Sequence, residues 1–247
     1  MQIARDRSSF LLFSFFLSIF VLTNQGSIQT SDGTSMFLVT KNIVEKHSLA
    51  LDPLERRDLI VKGKGDKYYS KYGLGTSILA IPFYLTGKIV AQVMGIPKDF
   101  VTKFFVSLMG AFITAMMCVF VFKLSLKMGF PLKISFMLPL IYGLGTMAWV
   151  YSEDLYSTTI VNLFLFIAVY FIYDFREGIT STQILFSGIM MGLAILARYD
   201  ALIIMPILVV YIVIKIKKQN VSLGILLKKN INFWHTNTVF FISCAYL

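Results

Sequence analysis

Charge is scarce in this sequence. Only 15% of its 247 residues are Asp, Glu, Lys or Arg, too few to coat a soluble domain of this size. Cysteine is scarcer still: Cys118 and Cys244 both lie inside apolar stretches, which argues against a disulfide framework. The two histidines, His47 and His235, stand alone, and nowhere do Cys, His and acidic residues fall at metal-ligand spacing. Gly-rich phosphate loops of the Walker or Rossmann kind are missing, so nothing promises a soluble nucleotide-sugar site. Internal repeats are missing as well, and with them the paired, broken-helix halves common in transporters.

What the sequence has is apolar length. The chain is 57% hydrophobic with 23 Phe and 12 Tyr, and its mean hydropathy is +0.74. The apolar residues come in helix-spanning blocks, which predicts an all-α, polytopic transmembrane protein. The net charge of +10 does not point to nucleic acid, because the lysines sit between hydrophobic blocks and form no basic stripe with interleaved aromatics.

The blocks predict one membrane domain over 1–247. A first span covers 9–23 behind Arg5 and Arg7; "VLTNQGS" lacks a small-x-small cleavage site, so an uncleaved helix is expected. Further blocks run over 100–122, 134–150, 155–173, 184–197 and 201–216, and a last one begins near Phe233 and is still running at Leu247. That ending reads as a chain shorter than its relatives. The segment 72–95, with Pro82 and Lys88, decides the topology. If it stays on the outer surface, the loops with Lys123, Lys127, Lys133, Arg176, Lys215, Lys217, Lys218, Lys228 and Lys229 face the cytoplasm. This assignment satisfies the positive-inside rule, with a cytoplasmic N-terminus and 72–95 as a juxtamembrane helix. One long outer loop over 24–99 then carries Asp32, Asp52, Glu55, Asp58 and Asp66.

Four stretches could carry chemistry. In "TSDGTSMFLVTKNIVEKHSLAL" an amphipathic helix is predicted from the spacing of Met36, Phe37, Thr40, Ile43, Val44 and His47. Ser31 or Asp32 would cap it, and Asp32 could equally serve as a general base. "GDKYYSKYGLG" joins lysine, glycine and tyrosine, so Tyr68 and Lys71 read either as a sugar- and phosphate-binding pair or as an interfacial aromatic belt. "WVYSEDLYS" places Glu153 and Asp154 between two helices, as a solvated turn or as lining of the Asp32 pocket. In "LAILARYDALIIMP", Arg198 and Asp200 interrupt an apolar run, as a hairpin ion pair or as an anion-binding arginine beside its counter-ion.

In order and spacing these stretches resemble the C-type (GT-C fold) membrane glycosyltransferases, in the branch of protein O-mannosyltransferases and lipid A aminoarabinose transferases. The family's first outer loop opens with an acidic motif followed by an aromatic, matched here by Asp32-Gly33 and Phe37. It ends with Tyr, Lys and two prolines before a juxtamembrane helix, matched by Tyr68 and Lys71, with Tyr72-Gly73 in place of the prolines. Asp154 and Arg198 match a carboxylate opening the fourth span and a basic residue in a Gly-rich outer hairpin. The usual second acidic residue is Gly33 here, so a divalent metal, though possible, has no paired-carboxylate motif to support it, and no cofactor is certain.

The resemblance implies a sugar transferase of an inverting type. Its donor would be a polyprenyl-phosphate sugar, with the phosphate held by Arg198 and Lys71 near Tyr68, Glu153 and Asp154. Asp32 would act as catalytic base on an acceptor hydroxyl of a lipid, glycan or protein. It also implies an integral, multi-pass protein of a prokaryotic plasma membrane. The competing readings are an inactive fragment or scaffold, and a transporter.

Overall fold

The computed structural model describes residues 2–52, 60–63, 65, 67–173 and 180–218. Expectations about Glu55, Asp58, Asp66, Arg176, Lys228, Lys229, His235, Cys244 and the block from Phe233 lie outside these residues. Among the described residues the chain is a polytopic helical membrane protein with one small hairpin of strands. The helices are α1 (Gln2–Thr23), α2 (Ser31–Lys46), α3 (Leu74–Leu79), α4 (Ile81–Met94), α5 (Lys98–Lys127), α6 (Leu132–Gly145), α7 (Ala148–Ser152), α8 (Ser157–Ile172), α9 (Ser181–Ala197) and α10 (Met205–Lys218). Strands β1 (Ile60–Lys62) and β2 (Tyr68–Ser70) pair antiparallel, with Val61 opposite Tyr69.

The boundaries follow local chemistry. Thr180 and Gln183 form a reciprocal capping box at the start of α9. Gly95, in the left-handed region at φ 66°, ends α4, and Pro97 then opens α5. The apolar block expected over 134–150 is broken at extended Thr146 into α6 and the short α7. The block expected from 201 begins earlier, as a 3₁₀ turn over Tyr199–Ile204 that feeds α10.

Helix α5 is the central post. On one side it buries Ala111, Ala115, Cys118 and Phe122 against Phe16 and Phe20 of α1. On another, Val106, Met109, Ile113 and Met117 meet Ile160, Leu163 and Ile167 of α8. Its 30 residues make a rod of about 45 Å, longer than the roughly 30 Å hydrocarbon layer. Charged groups gather at its N-terminal turns. Lys98 Nζ lies 2.6 Å from Glu45 Oε1, Lys41 pairs with Asp99 at 3.1 Å, and Tyr84 donates to Glu45 at 2.5 Å. Beneath this network Met36 and Phe37 of α2 are fully buried, each worth roughly 1.5–3 kcal/mol if taken from water.

The two ends of the bundle are distinct. At one end, just past α1, Asn24 accepts a hydrogen bond from Ser107 Oγ (2.9 Å) and donates to the carbonyl of Glu153 (3.1 Å). At the other, Lys127 donates to the carbonyl of Tyr170 at 3.0 Å. The α3–α4 segment is long and apolar enough to cross a membrane. It nevertheless starts against Ala197, the last residue of α9, and finishes at the turn into α5, so both its limits are at the Asn24 end. That end carries the polar residues singled out above.

Candidate active site

The site begins with a capping choice. Thr30, not Ser31 or Asp32, caps α2: it is extended, and its Oγ1 accepts the N–H of Gly33 at 3.2 Å. This corrects the expected cap and has a chemical consequence. The Asp32 carboxylate, in the first turn and half-buried, is released from capping to face other groups. A negative charge there is favoured by the helix N-terminus.

Asp154 holds that turn in place. It is 6% exposed; Oδ2 accepts the N–H groups of Gln29 (3.0 Å) and Thr30 (2.9 Å), and Oδ1 accepts the N–H of Leu155 (2.6 Å). Both oxygens are thus spent on backbone donors. So engaged, Asp154 positions the turn that carries Thr30 and Asp32. Glu153 is tied elsewhere, accepting from Gln25 Nε2 at 3.4 Å beside the end of α1.

Tyr72 supplies the partner of Asp32, donating its phenolic hydrogen to Asp32 Oδ1. Its own position is set through Ser70, whose Oγ bonds Ser35 of α2 (2.8 Å) and accepts the N–H of Tyr72 (3.2 Å). Lys71 Nζ lies 5.2 Å from the centre of the Tyr72 ring, so the cation expected near the phosphate and the carboxylate share one tyrosine. Partial burial and then the bond to Asp32 push the Tyr72 phenol above its ordinary range, with Lys71 pulling the other way. Tyr68, the first residue of β2, is half-buried, its carbonyl accepting the N–H of Leu51 at 2.8 Å.

Arg198 ends α9 in extended conformation. Its Nε and Nη2 hold Asp200 at 2.9–3.1 Å, and its Nη1 donates to Thr158 Oγ1 of α8 at 3.3 Å. Arg198 and Asp200 remain 42% and 48% exposed, so this is a solvated pair. The residue before Arg198 packs on the residue after Tyr72: a Cβ on Gly73 would lie 2.5 Å from the Ala197 carbonyl oxygen. Gly33 is equally confined, since a Cβ there would lie 2.7 Å from Thr30 Oγ1 and 3.0 Å from the Leu155 carbonyl oxygen. A second carboxylate beside Asp32 has no room in this packing.

These contacts close a ring. It runs from Asp32 through Tyr72 and Gly73 to Ala197 and Arg198, across to Thr158, and back through Leu155 to Gly33. Tyr156 lies on it as well, its phenol raised above the ordinary range by burial, then by the nearby charges of Asp154, Asp32 and Glu153. Asp32, Lys71 and Arg198 are therefore brought to one end of the bundle, with Asp154 beneath them. Tyr72, Tyr156 and Thr158 were missed in the sequence; Tyr72 was visible only as a substitute for proline. Among the described residues no group of three or more His, Cys, Asp or Glu is gathered to hold a metal.

No curated protein and no solved structure matches this chain. A family model does: residues 61–246 match the Alg9-like mannosyltransferase family. Since that match covers most of the chain, the protein belongs to the Alg9-like mannosyltransferases, membrane glycosyltransferases of the GT-C type.

Proposed function

We propose that this chain transfers a sugar from a polyprenyl-phosphate donor to an acceptor hydroxyl at the outer membrane face, with inversion. The observation that supports this most is the ring of contacts itself, which includes a carboxylate (Asp32) and Arg198, with Lys71 beside Tyr72, at one end of the bundle. The donor phosphate displaces Asp200 from the guanidinium, an exchange that costs little because the pair is half-exposed. Arg198 and Lys71 then stabilise the charge that grows on the departing phosphate. The acceptor oxygen attacks the anomeric carbon, the bond from that carbon to the phosphate oxygen breaks, and polyprenyl phosphate leaves with the electron pair. Asp32 takes the hydroxyl proton. Tyr72 does not react; it fixes the orientation of the carboxylate. On this reading the Asn24 end faces outward, as the basic connections at the Lys127 end also suggest, in a prokaryotic plasma membrane.

The test is donor binding and transfer by purified protein in lipid with a radiolabelled polyprenyl-phosphate sugar. Arg198→Ala should abolish binding, and Asp32→Asn should spare binding while abolishing transfer. If Arg198→Ala binds donor normally and is merely less stable, Arg198 is a clamp for its own hairpin and the phosphate assignment fails.

A further inference from the structure

Beside the ring, deeper in the bundle, lies a polar cavity of about 260 Å³ between α5, α6, α7 and α8. Thr114, Tyr142, Thr146, Tyr151, Thr159 and Asn162 supply its polar lining. Two features are out of keeping with a lipid-embedded helix bundle. The Thr114 hydroxyl is buried with no hydrogen-bond partner. Thr76 of α3 is the other described threonine in this state; Thr40 and Thr102 instead turn to the carbonyl four residues back, at 2.9 Å. Asn162, meanwhile, is exposed in the middle of an apolar helix, between Val161 and Leu163, a position costly in hydrocarbon unless its amide meets a polar group.

The chemistry of the lining selects the occupant. It offers hydroxyls, one amide and two phenol rings, but no Lys, Arg, Asp or Glu, so a phosphate would find no counter-ion there. Neutral donors and acceptors beside aromatic faces suit a pyranose ring, and the volume admits one. Its rim adjoins the ring through two tyrosines. Thr159 donates to the Tyr151 carbonyl (3.3 Å), the Tyr151 ring lies 4.9 Å from the Tyr156 ring, and Tyr156 in turn feels the charge of Asp32.

Resting on the transferase reading above, we propose that this cavity binds the neutral sugar group of the acceptor, presenting its hydroxyl toward Asp32 while the anionic donor occupies the Arg198 side. Charge separates the two substrates: cations serve the donor, and uncharged hydroxyls and the Asn162 amide serve the acceptor.

The experiment uses the full chain in lipid nanodiscs with methyl α-mannopyranoside as probe, read by saturation-transfer NMR. A photoreactive mannoside, its adduct mapped by mass spectrometry, locates the site. Wild type should show saturation transfer and adducts at or beside Thr114 or within 142–162. Thr114→Val and Asn162→Leu should each bind the glycoside about three- to tenfold more weakly, the loss of one hydrogen bond. The adduct map stands independently should either variant fail to fold. No transfer to wild type, adducts confined to other helices, or unchanged binding in both variants would overturn the assignment. Displacement of the glycoside by donor would also overturn it, by giving the cavity to the donor's own sugar. Arg198→Ala separates this proposal from the transferase reading, because it should keep the glycoside and lose the donor. If wild type binds glycoside but no polyprenyl-phosphate sugar, the transferase reading falls and the sugar site stands.

Discussion

Asp154 and Thr30 lie 124 positions apart in sequence, yet Asp154 Oδ2 accepts the Thr30 N–H at 2.9 Å. The loop before α8 thereby fixes the residue that caps α2, and through it the first turn that carries Asp32. Replacing Asp154 with Ala leaves three backbone donors without their acceptor, two of them at the entry to α2. This should destabilise the protein by roughly 2–4 kcal/mol. Thermal unfolding in detergent measures it, with Asp154→Asn expected between wild type and Ala.

Asp32→Asn should behave in the opposite way. Thr30 is the cap, so stability should fall by only about 1 kcal/mol or less, from loss of the charge at the helix N-terminus and a weaker bond to Tyr72. Transfer should fall about 10²–10⁴-fold, the usual contribution of a positioned general base. Melting curves run beside a radiolabel assay separate the two effects; a large stability loss would show that Asp32 is structural after all.

Two groups at this end set the pH limits. Tyr72 titrates above its ordinary value of 10.0, because partial burial and the bond to Asp32 disfavour the phenolate. A pKa raised on folding gives stability that is fully present below about pH 10 and lost as pH climbs through the folded value. Glu45 is shifted the other way: burial raises it, but hydrogen bonds from Lys98 and Tyr84 and the charges of Lys98 and Lys41 bring it below 4.5. Its stabilisation is present above the ordinary value and lost as pH falls through the lowered one. Melting temperatures across pH should therefore lose part of their alkaline decline in Tyr72→Phe and part of their acid decline in Glu45→Gln. Declines that persist unchanged would place their origin in other groups.

Gly73→Ala tests the closure of the ring. The new Cβ would lie 2.5–2.6 Å from the carbonyl oxygens of Ala197 and Leu196, and backbone atoms yield poorly. A cost of about 1–3 kcal/mol is expected, together with weaker donor binding as Arg198 moves. Gly65→Ala is a useful contrast for space, since nothing lies within 4 Å of its Cβ, although its φ of +72° adds local strain.

The helices were legible because block length and loop chemistry are local properties. The expected 184–197 and 155–173 became α9 and α8 within a few residues. Asp32, Lys71 and Arg198, singled out by residue type in the sequence, lie at one end of the bundle. Their partners were not legible. Asp154 shows why: a carboxylate in an acidic turn reads as solvated or pocket-lining, and only tertiary packing reveals that three backbone N–H groups consume it. Tyr72 was hidden for a similar reason, since its bond to Asp32 spans 40 positions and depends on a β-hairpin too short to show in periodicity.

The unequal helix lengths have a consequence for the surrounding lipid. While α5 measures about 45 Å, the 14 residues of α6 and the 16 of α8 reach only about 21 and 24 Å. Hydrophobic mismatch on that flank draws the leaflets together or pulls flanking side chains toward the headgroups. Bilayer thickness thereby becomes a variable of the protein: reconstitution in short-chain lipid should relieve the mismatch around α6 and α8, and long-chain lipid should increase it.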